Sequence, residues 1–426
     1  MIKQAFIGID LGTSGCRVIA IDADETPLLE LKSDLPPSHS AAEGQSVQSP
    51  EAWWEAVLKL LQQTANQLTH HEPAAIAVDG TSSTVLLTDG QGTPLTPALM
   101  YDDTSAREYT DRIASIANPL SSVHSANSSL AKLLLLADST ESDRVSHVLH
   151  QADWISGRLC GDYGFSDPNN CLKLGYDPVE RRWPDWMERF GFPLEWLPEV
   201  FPAGTTLGRL DHALARKLGF PAETRVVAGT TDSTAAVLAS GISRPGQAVT
   251  SLGSTMVLKI LSDKPVSAPR YGIYSQPLGD RWLAGGASNS GGTVLRKFFS
   301  DDRIEQLTRQ LDPDRESGLD YYPLPAPGER FPVNDPDMQP RLEPRPGDDA
   351  LFFQGLLEGM SGIEHQGYRL LETLGTPPLA EVFSIGGGAL NEPWRVIRER
   401  RLGVPVHTCK HQQAAFGVAL LARNSH

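Results

Sequence analysis

The chain has 426 residues, with 37 Lys and Arg against 52 Asp and Glu, a formal net charge of −15. The length accommodates two or three domains at roughly 150 residues each, and 40% hydrophobic with 21% charged residues excludes wholesale disorder. The acidity argues against nucleic acid as a partner, because phosphate backbones select basic surfaces.

In chain order, Ala5–Asp10 reads as a short buried strand, 11–15 as a turn, and Arg17–Ile21 as a second strand. Ser49-Pro50-Glu51 opens a helix predicted to run to about Leu68, with Ser49 at the N-cap and Pro50 as its first residue. Ala75–Val78 returns as a strand, and Asp89-Gly90 after Val85–Thr88 marks another turn. The strand Arg225–Ala228 enters Gly229-Thr-Thr-Asp232, with a helix start at about Asp232, and the domain boundary is expected here, dividing 1–228 from 229–426. Gln247–Ser251, Leu252-Gly253-Ser254-Thr255 and Met256–Ile260 repeat the opening strand–turn–strand pattern. Asp312–Pro346, rich in Pro, Asp and Arg, is expected to be an irregular surface excursion. Ala350–Leu374 and Gln412–Ala422 are helical patterns, and the last of these, about 412–423, is a candidate to pack back on the first domain. Strands alternating with helices imply an α/β layer architecture.

Cys16, Cys160, Cys171 and Cys409 are scattered without C-x-x-C spacing, so neither a disulfide framework nor a zinc cluster is expected. The N-terminus lacks a secretory pattern. The longest apolar run, near Leu133–Ala137, falls well short of the ~20 residues that span a bilayer. A cytoplasmic protein with no membrane partner is expected; a plastid address stays open if the source is a plant.

Five segments carry candidate chemistry. Asp10-Leu-Gly12-Thr13-Ser14-Gly15 brings flexible backbone N–H groups and hydroxyls to a turn, a phosphate-type arrangement, with a carboxylate able to hold Mg²⁺. The same residues also suit a plain β-turn in which Asp10 caps its own backbone. No G-x-x-x-x-G-K-[ST] is present, so a P-loop is excluded. Asp232 at a helix start stays ionised and suits a base for a substrate hydroxyl, though an ordinary N-cap is the commoner use of Asp there. Gly386-Gly387-Gly388-Ala-Leu-Asn391 allows close backbone approach to a flat ligand, or serves packing alone. Asp79-Gly-Thr81-Ser82-Ser83-Thr84 and Tyr101-Asp102-Asp103 are polyol-binding candidates, or a solvated loop and a helix cap.

The order of these segments resembles that of the FGGY carbohydrate kinases of the actin-like ATPase superfamily. Phe6–Gly15 is similar to the family's opening phosphate hairpin, Gly229–Asp232 with Ala235 to its catalytic-aspartate segment, and Thr250–Thr255 to its second phosphate hairpin. Ala287–Gly292 resembles a nucleotide-side loop, Phe353–Gly359 the long helix, and Gly386–Asn391 with Arg401–Pro405 the adenine-side motif. The resemblance implies two actin-like, ribonuclease H-like lobes with an inter-lobe cleft. It implies a sugar-binding N-terminal lobe and a nucleotide-binding C-terminal lobe that close on substrate. It implies ATP and Mg²⁺ as cofactors and a small-molecule sugar as partner, in a monomer or homodimer.

Residue by residue, Asp232 is expected as the proton acceptor. Gly12, Thr13, Ser14, Gly253, Ser254, Thr255, Gly291, Gly387, Gly388 and Asn391 are expected at the nucleotide. Asp10, Ser82, Ser83, Asp103 and Asp232 are expected at the sugar, with Asp10 also the metal ligand. Within the family, the Thr81-Ser82-Ser83 cluster and the compact length are similar to the cyanobacterial and plant D-ribulose kinase branch. Xylulokinases usually carry Gln-Met-His at that cluster, and glycerol kinases an Arg-Glu pair. Phosphorylation of a primary hydroxyl of D-ribulose is therefore expected, with D-xylulose or another polyol as the alternative. A sugar-independent regulatory ATPase on the same fold is the rival from another class.

Overall fold

The structure is a computed structural model and describes residues 3–40 and 42–425. It divides into two compact units, Met1–Ala239 with Gln413–His426, and Ser240–Gln412.

The strands of the first unit begin with β1 (Lys3–Leu11), β2 (Gly15–Ile21), β3 (Pro27–Asp34) and β4 (His71–Gly80). They continue with β5 (Val85–Thr88), β6 (His147–His150), β7 (Thr206–Arg209) and β8 (Arg225–Thr231). Its main sheet runs β7-β8-β4-β1-β2-β3. β1 pairs in parallel with β4, and β4 with β8, while β1, β2 and β3 form an antiparallel meander. β1 is buried on both faces from Ala5 to Ile9, which is why it reads as an unbroken apolar run. β5 and β6 pair antiparallel in a smaller sheet.

The helices here include α1 (Pro50–Gln67), α2 (Ser129–Asp138), α3 (Gln151–Cys160), α4 (Pro168–Cys171) and α5 (Asp232–Ala239). α1 buries Trp53, Val57, Leu60, Leu61 and Thr64, a single stripe at helical spacing. Pro50 is its first residue, but the Ser49 side chain makes no capping bond.

The second unit repeats the pattern. Its elements are β9 (Gln247–Leu252), β10 (Met256–Ser262), β11 (Tyr274–Leu278), β12 (Arg281–Ser288), α6 (Gly292–Phe298), α7 (Asp301–Thr308), α8 (Asp349–Thr373), β13 (Glu381–Ile385), α9 (Glu392–Leu402) and β14 (Val406–Thr408). The sheet runs β11-β12-β10-β9-β13-β14. β9, β10 and β12 are antiparallel, and β9 continues into parallel β13 and β14. Each unit thus carries a meander followed by two parallel strands, the arrangement of a duplicated α/β fold. Residues 312–346 are irregular as expected but do more than skirt the surface. Tyr321, Tyr322, Leu324 and Phe331 are buried in this unit's core.

The last helix, α10 (Ala414–Arg423), belongs to the first unit. A stripe of small residues, Ala414, Ala415, Val418, Ala419 and Ala422, is buried there. A Cβ on Gly8 of β1 would lie 1.9 Å from the Ala415 carbonyl oxygen and 2.6 Å from the Ala419 nitrogen. Only glycine lets this helix lie on this strand. Gly8→Ala is expected to destabilise the first unit by at least about 3 kcal/mol, because the obstacle is backbone and cannot rotate away; denaturant unfolding followed by tryptophan fluorescence checks this.

The expected boundary at 228/229 is displaced. Gly229–Thr231 continue β8 within the first sheet, and α5 packs on α10, so the first unit extends to Ala239. The Gly-Thr-Thr segment reads as a turn from composition, but it lies beside Val78 of β4 in a strand.

Candidate active site

Parallel strands end at one edge of a sheet, so residues at their C-terminal ends converge. Asp10 of β1 is the register partner of Asp79 of β4, and Asp79 is the partner of Thr230 of β8. Asp232 follows directly as the first residue of α5. Three aspartates therefore crown three neighbouring parallel strands. Asp79 is fully buried, and no hydrogen-bond donor reaches either of its carboxylate oxygens. Burial holds its carboxyl well above the usual carboxylate range, and the charges of Asp10 and Asp232 add to this. Burial also raises Asp10, partly offset by a bond with Asp79 and by the Arg17 guanidinium. The two carboxyls compete for one negative charge, and the more deeply buried Asp79 is held further above its usual range than Asp10. Hard carboxylate oxygens suit Mg²⁺, which usually takes one or two carboxylates and completes its shell with phosphate and water. Among the described residues no cluster of three or more acidic, His or Cys side chains could hold a metal alone.

The hydroxyl cluster follows β4. Gln151 Oε1 accepts from the Thr81 N–H and Oγ, both at 2.9 Å. Ser82 is half-buried. Ser83 is buried with φ of 68°, and its Oγ has no partner among the described residues. Its backbone is held by Lys132 of α2, whose buried ammonium donates to the Ser83 carbonyl at 2.9 Å and to that of Met100. Burial pulls Lys132 down to about 7 from 10.5. Between those values the unfolded chain binds more protons than the folded one. This residue's contribution to stability therefore grows as pH rises from about 7 to 10.5. Lys132→Met is expected to flatten that limb, read from urea midpoints across the range.

Asp103 does not stand open for a ligand. It is fully buried; its Oδ2 accepts from the Ser46 N–H at 2.7 Å, and its Oδ1 from the Ser105 N–H and Oγ at 3.0 and 2.6 Å. It braces a loop, as Asp does in Asx turns.

The two matching hairpin tips share one detail of wiring. In the first, the Thr13 carbonyl accepts from Gln48 Nε2 and the Ser14 carbonyl from the Leu35 N–H. In the second, the Gly253 carbonyl accepts from the Gly292 N–H and the Ser254 carbonyl from the Thr293 N–H. The N–H groups of Thr13, Ser14, Ser254 and Thr255 have no protein acceptor among the described residues. Each tip turns two carbonyls into the fold and leaves these N–H groups without a protein acceptor among the described residues, while its glycine N–H bonds within the turn, the polarity an anion requires.

The second unit holds a cavity of about 530 Å³, within the range of about 300–1,000 Å³ common for small-molecule sites. Gly253, Ser254, Gly291, Gly387, Gly388 and Asn391 line it, joined by Arg296, Asp301, Glu305, Thr308 and Trp394. Thr255 does not. Asn391 also caps α9, accepting from the Trp394 N–H at 3.0 Å, and donates to Thr308 Oγ at 3.1 Å. At Gly291, φ is 153°, and a Cβ would lie 2.7 Å from both the Ser254 carbonyl oxygen and the Thr255 Cα, so only glycine fits. At Gly387 a Cβ would meet nothing within 4 Å. Gly387→Val is therefore expected to leave Tm unchanged and raise KM for ATP about tenfold by filling the cavity, a loss of about 1.4 kcal/mol; steady-state kinetics with a melting curve separates the two.

Two family models cover almost the whole chain. The N-terminal domain of the FGGY family of carbohydrate kinases matches residues 5–239, and its C-terminal domain residues 248–425. The chain belongs to the FGGY family of carbohydrate kinases. It is similar to the xylulose kinase of Escherichia coli (strain K12), at 27% identity over 92% of this chain and 83% of that protein. It is also similar to the xylulose kinase of Streptomyces coelicolor, at 28% identity over 98% of this chain and 87% of that protein. The crystal structure of xylulose kinase from Rhodospirillum rubrum superposes with a TM-score of 0.86 at 20% identity, covering 98% of this chain and 89% of that one. The fold is the actin-like, two-domain α/β fold, and the protein is a sugar phosphotransferase using ATP and Mg²⁺. The regulatory-ATPase reading gives way to this assignment. No helix among the described residues is long and apolar enough to cross a membrane.

Seen as an FGGY kinase, the chain gathers Asp10 and Asp232 at one sheet edge. It gathers Gly253, Ser254, Gly291, Gly387, Gly388 and Asn391 around one cavity, with Gly12, Thr13 and Ser14 in the matching hairpin. Asp79 and Lys132 were missed as individual site residues. Both had a visible signal: Asp79 sits before a glycine at a strand end, as Asp10 sits before Leu-Gly, and Lys132 is a lone charge within the apolar run 130–137.

Proposed function

We propose that this kinase phosphorylates a primary hydroxyl of a ketopentose, D-ribulose first. The observation that carries the reading is the short hydroxyl loop beside the carboxylate pair. Thr81, Ser82 and Ser83 stand where bulkier side chains would restrict a sugar, and Ser83 Oγ is buried without a partner. A buried hydroxyl without a hydrogen bond is unfavourable until a ligand supplies one. Asp232 accepts the proton of the attacking hydroxyl. Asp10, with Asp79 behind it, binds sugar hydroxyls or the metal, which neutralises phosphate charge when bound. The N–H groups of Thr13, Ser14, Ser254 and Thr255 bind phosphate oxygens, and the cavity lined by Gly387 and Asn391 takes the nucleoside. Such a site works by positioning and charge stabilisation, with little covalent chemistry of its own.

D-Xylulose is the second reading, favoured by the activity named for the similar proteins from E. coli and S. coelicolor. A coupled ADP-release assay over D-ribulose, D-xylulose, other ketoses, polyols and glycerol decides. The highest kcat/KM on D-ribulose is expected. Turnover confined to D-xylulose or glycerol overturns the first reading, and ADP release independent of any sugar overturns both.

A further inference from the structure

We propose that the first unit contains a buried monovalent-cation site of sodium size, enclosed by α3, α4 and β8. A small cavity of about 10 Å³ lies there, lined by Asp153, Ser156, Ser166, Asp167, Asn170 and Gly229. That volume holds one occupant the size of a water. Asp153 Oδ2 accepts from the His150 N–H at 3.1 Å and from His150 Nδ1 at 2.9 Å. Asp167 Oδ1 accepts from the Asn169 N–H at 2.8 Å, and its Oδ2 from Asn170 Nδ2 at 2.6 Å. The last bond sets the orientation of the Asn170 amide, and it leaves Asn170 Oδ1 as an acceptor without a donor. Asn170 is 1% exposed. Ser166 Oγ, also buried, has only the Cys171 thiol beside it.

The balance of charge then selects the occupant. Two buried carboxylates share the cavity; Asp153 meets the single imidazole of His150, and among the described residues neither carboxylate pairs with Lys or Arg, so one basic ring stands against two acids. An uncompensated buried charge is costly, and the surplus groups are all oxygen acceptors. The occupant must therefore bring positive charge and accept oxygen ligands. Mg²⁺ retains several waters, for which there is no room. A dehydrated sodium ion fits.

The site has a route to the chemistry. Asn169, two residues after Asp167, donates Nδ2 to Thr230 Oγ at 2.9 Å, and Thr230 of β8 lies two residues before Asp232. An ion that orders α4 steadies the strand end that presents Asp232.

The test uses the full chain in about 100 mM NaCl, KCl, LiCl or choline chloride at about pH 8, where a bound ion should raise Tm by about 3 °C. Sodium is expected to give this rise over choline, and broadening of the ²³Na resonance should accompany it. Both effects should vanish in Asp167→Asn. This variant keeps an acceptor for the Asn169 N–H; if it fails to fold, Asp153→Asn takes its place. Equal Tm in all four salts, or a sodium effect that survives both substitutions, overturns the proposal and leaves the cavity to a water molecule. Melting and ²³Na signals do not depend on the sugar, so this result stands apart from the identity of the substrate.

Discussion

Replacing Asp232 with Asn is expected to lower kcat about 10³-fold and leave KM for ATP within about twofold, because a positioned general base contributes roughly 10²- to 10⁴-fold. The asymmetry follows from where the groups lie. Asp232 begins α5 in the first unit, whereas the cavity of about 530 Å³ is built entirely from residues of the second. Asn is the informative substitution, because Asp232 Oδ1 also accepts from the Ser233 N–H at 2.6 Å and an amide oxygen keeps that acceptor. Asp232→Ala removes both functions, so a Tm loss in Ala but not in Asn separates capping from chemistry. The coupled ADP-release assay and a melting curve suffice. Turnover of the Asn variant near that of the parent would show that the proton goes elsewhere.

The largest effect on stability is expected at a buried ion pair in the second unit. Arg398 of α9 donates Nε and Nη2 to the two carboxylate oxygens of Glu364 of α8, each at 2.7 Å, and Nη1 to Ser384 Oγ of β13 at 2.7 Å. Thr250 of β9 donates to the same carboxylate at 2.6 Å and meets the Tyr368 hydroxyl at 2.7 Å. Arg398 and Glu364 are 1% and 0% exposed. Four elements are tied through one charge pair, and burial with the Glu364 charge holds the Tyr368 phenol above its usual range. Glu364→Ala strands the guanidinium in an apolar interior and should destabilise the unit by about 3–5 kcal/mol. Glu364→Gln keeps one acceptor oxygen but loses the charge and the second acceptor, and should fall between. Urea unfolding measures both. Because β9 and β13 lead into the Gly253 and Gly386–Gly388 turns, the Ala variant should also raise KM for ATP. A loss below about 1 kcal/mol, the size of a surface pair, would contradict the account.

Different parts of the site differ in how far they could be read from residue order. Gly12-Thr13-Ser14 and Gly253-Ser254-Thr255 are legible because a hairpin is local: glycine and hydroxyl residues between two apolar runs dictate a turn within a few residues. The helices 349–373 and 414–423 are legible for the same reason, since their apolar periodicity is written in neighbouring positions. Asp103 shows the opposite. An Asp after an aromatic in a loop suits a sugar contact or a loop brace equally well, and only the Ser46 N–H, brought in from far along the chain, decides for the brace. The boundary at Gly229 misleads for a related reason. Glycine and threonine suggest a turn by composition, but pairing with β4 holds them extended.

By itself, the sequence determined the class of the protein: α/β elements in order, two phosphate-type hairpins, an aspartate at a helix start, and family motifs from residue 6 onward. These are properties of short windows, governed by backbone conformation and local hydrogen bonding. Tertiary structure alone decided that Asp10 and Asp79 stand side by side, that Lys132 clamps Ser83, that α10 lies on Gly8, and that Asp153 and Asp167 line one cavity. Each depends on strand register or on elements distant in sequence. A one-residue slip in register turns a side chain to the opposite face. Proximity, burial and the proton affinities they set are properties of the folded assembly, and no window of the chain contains them.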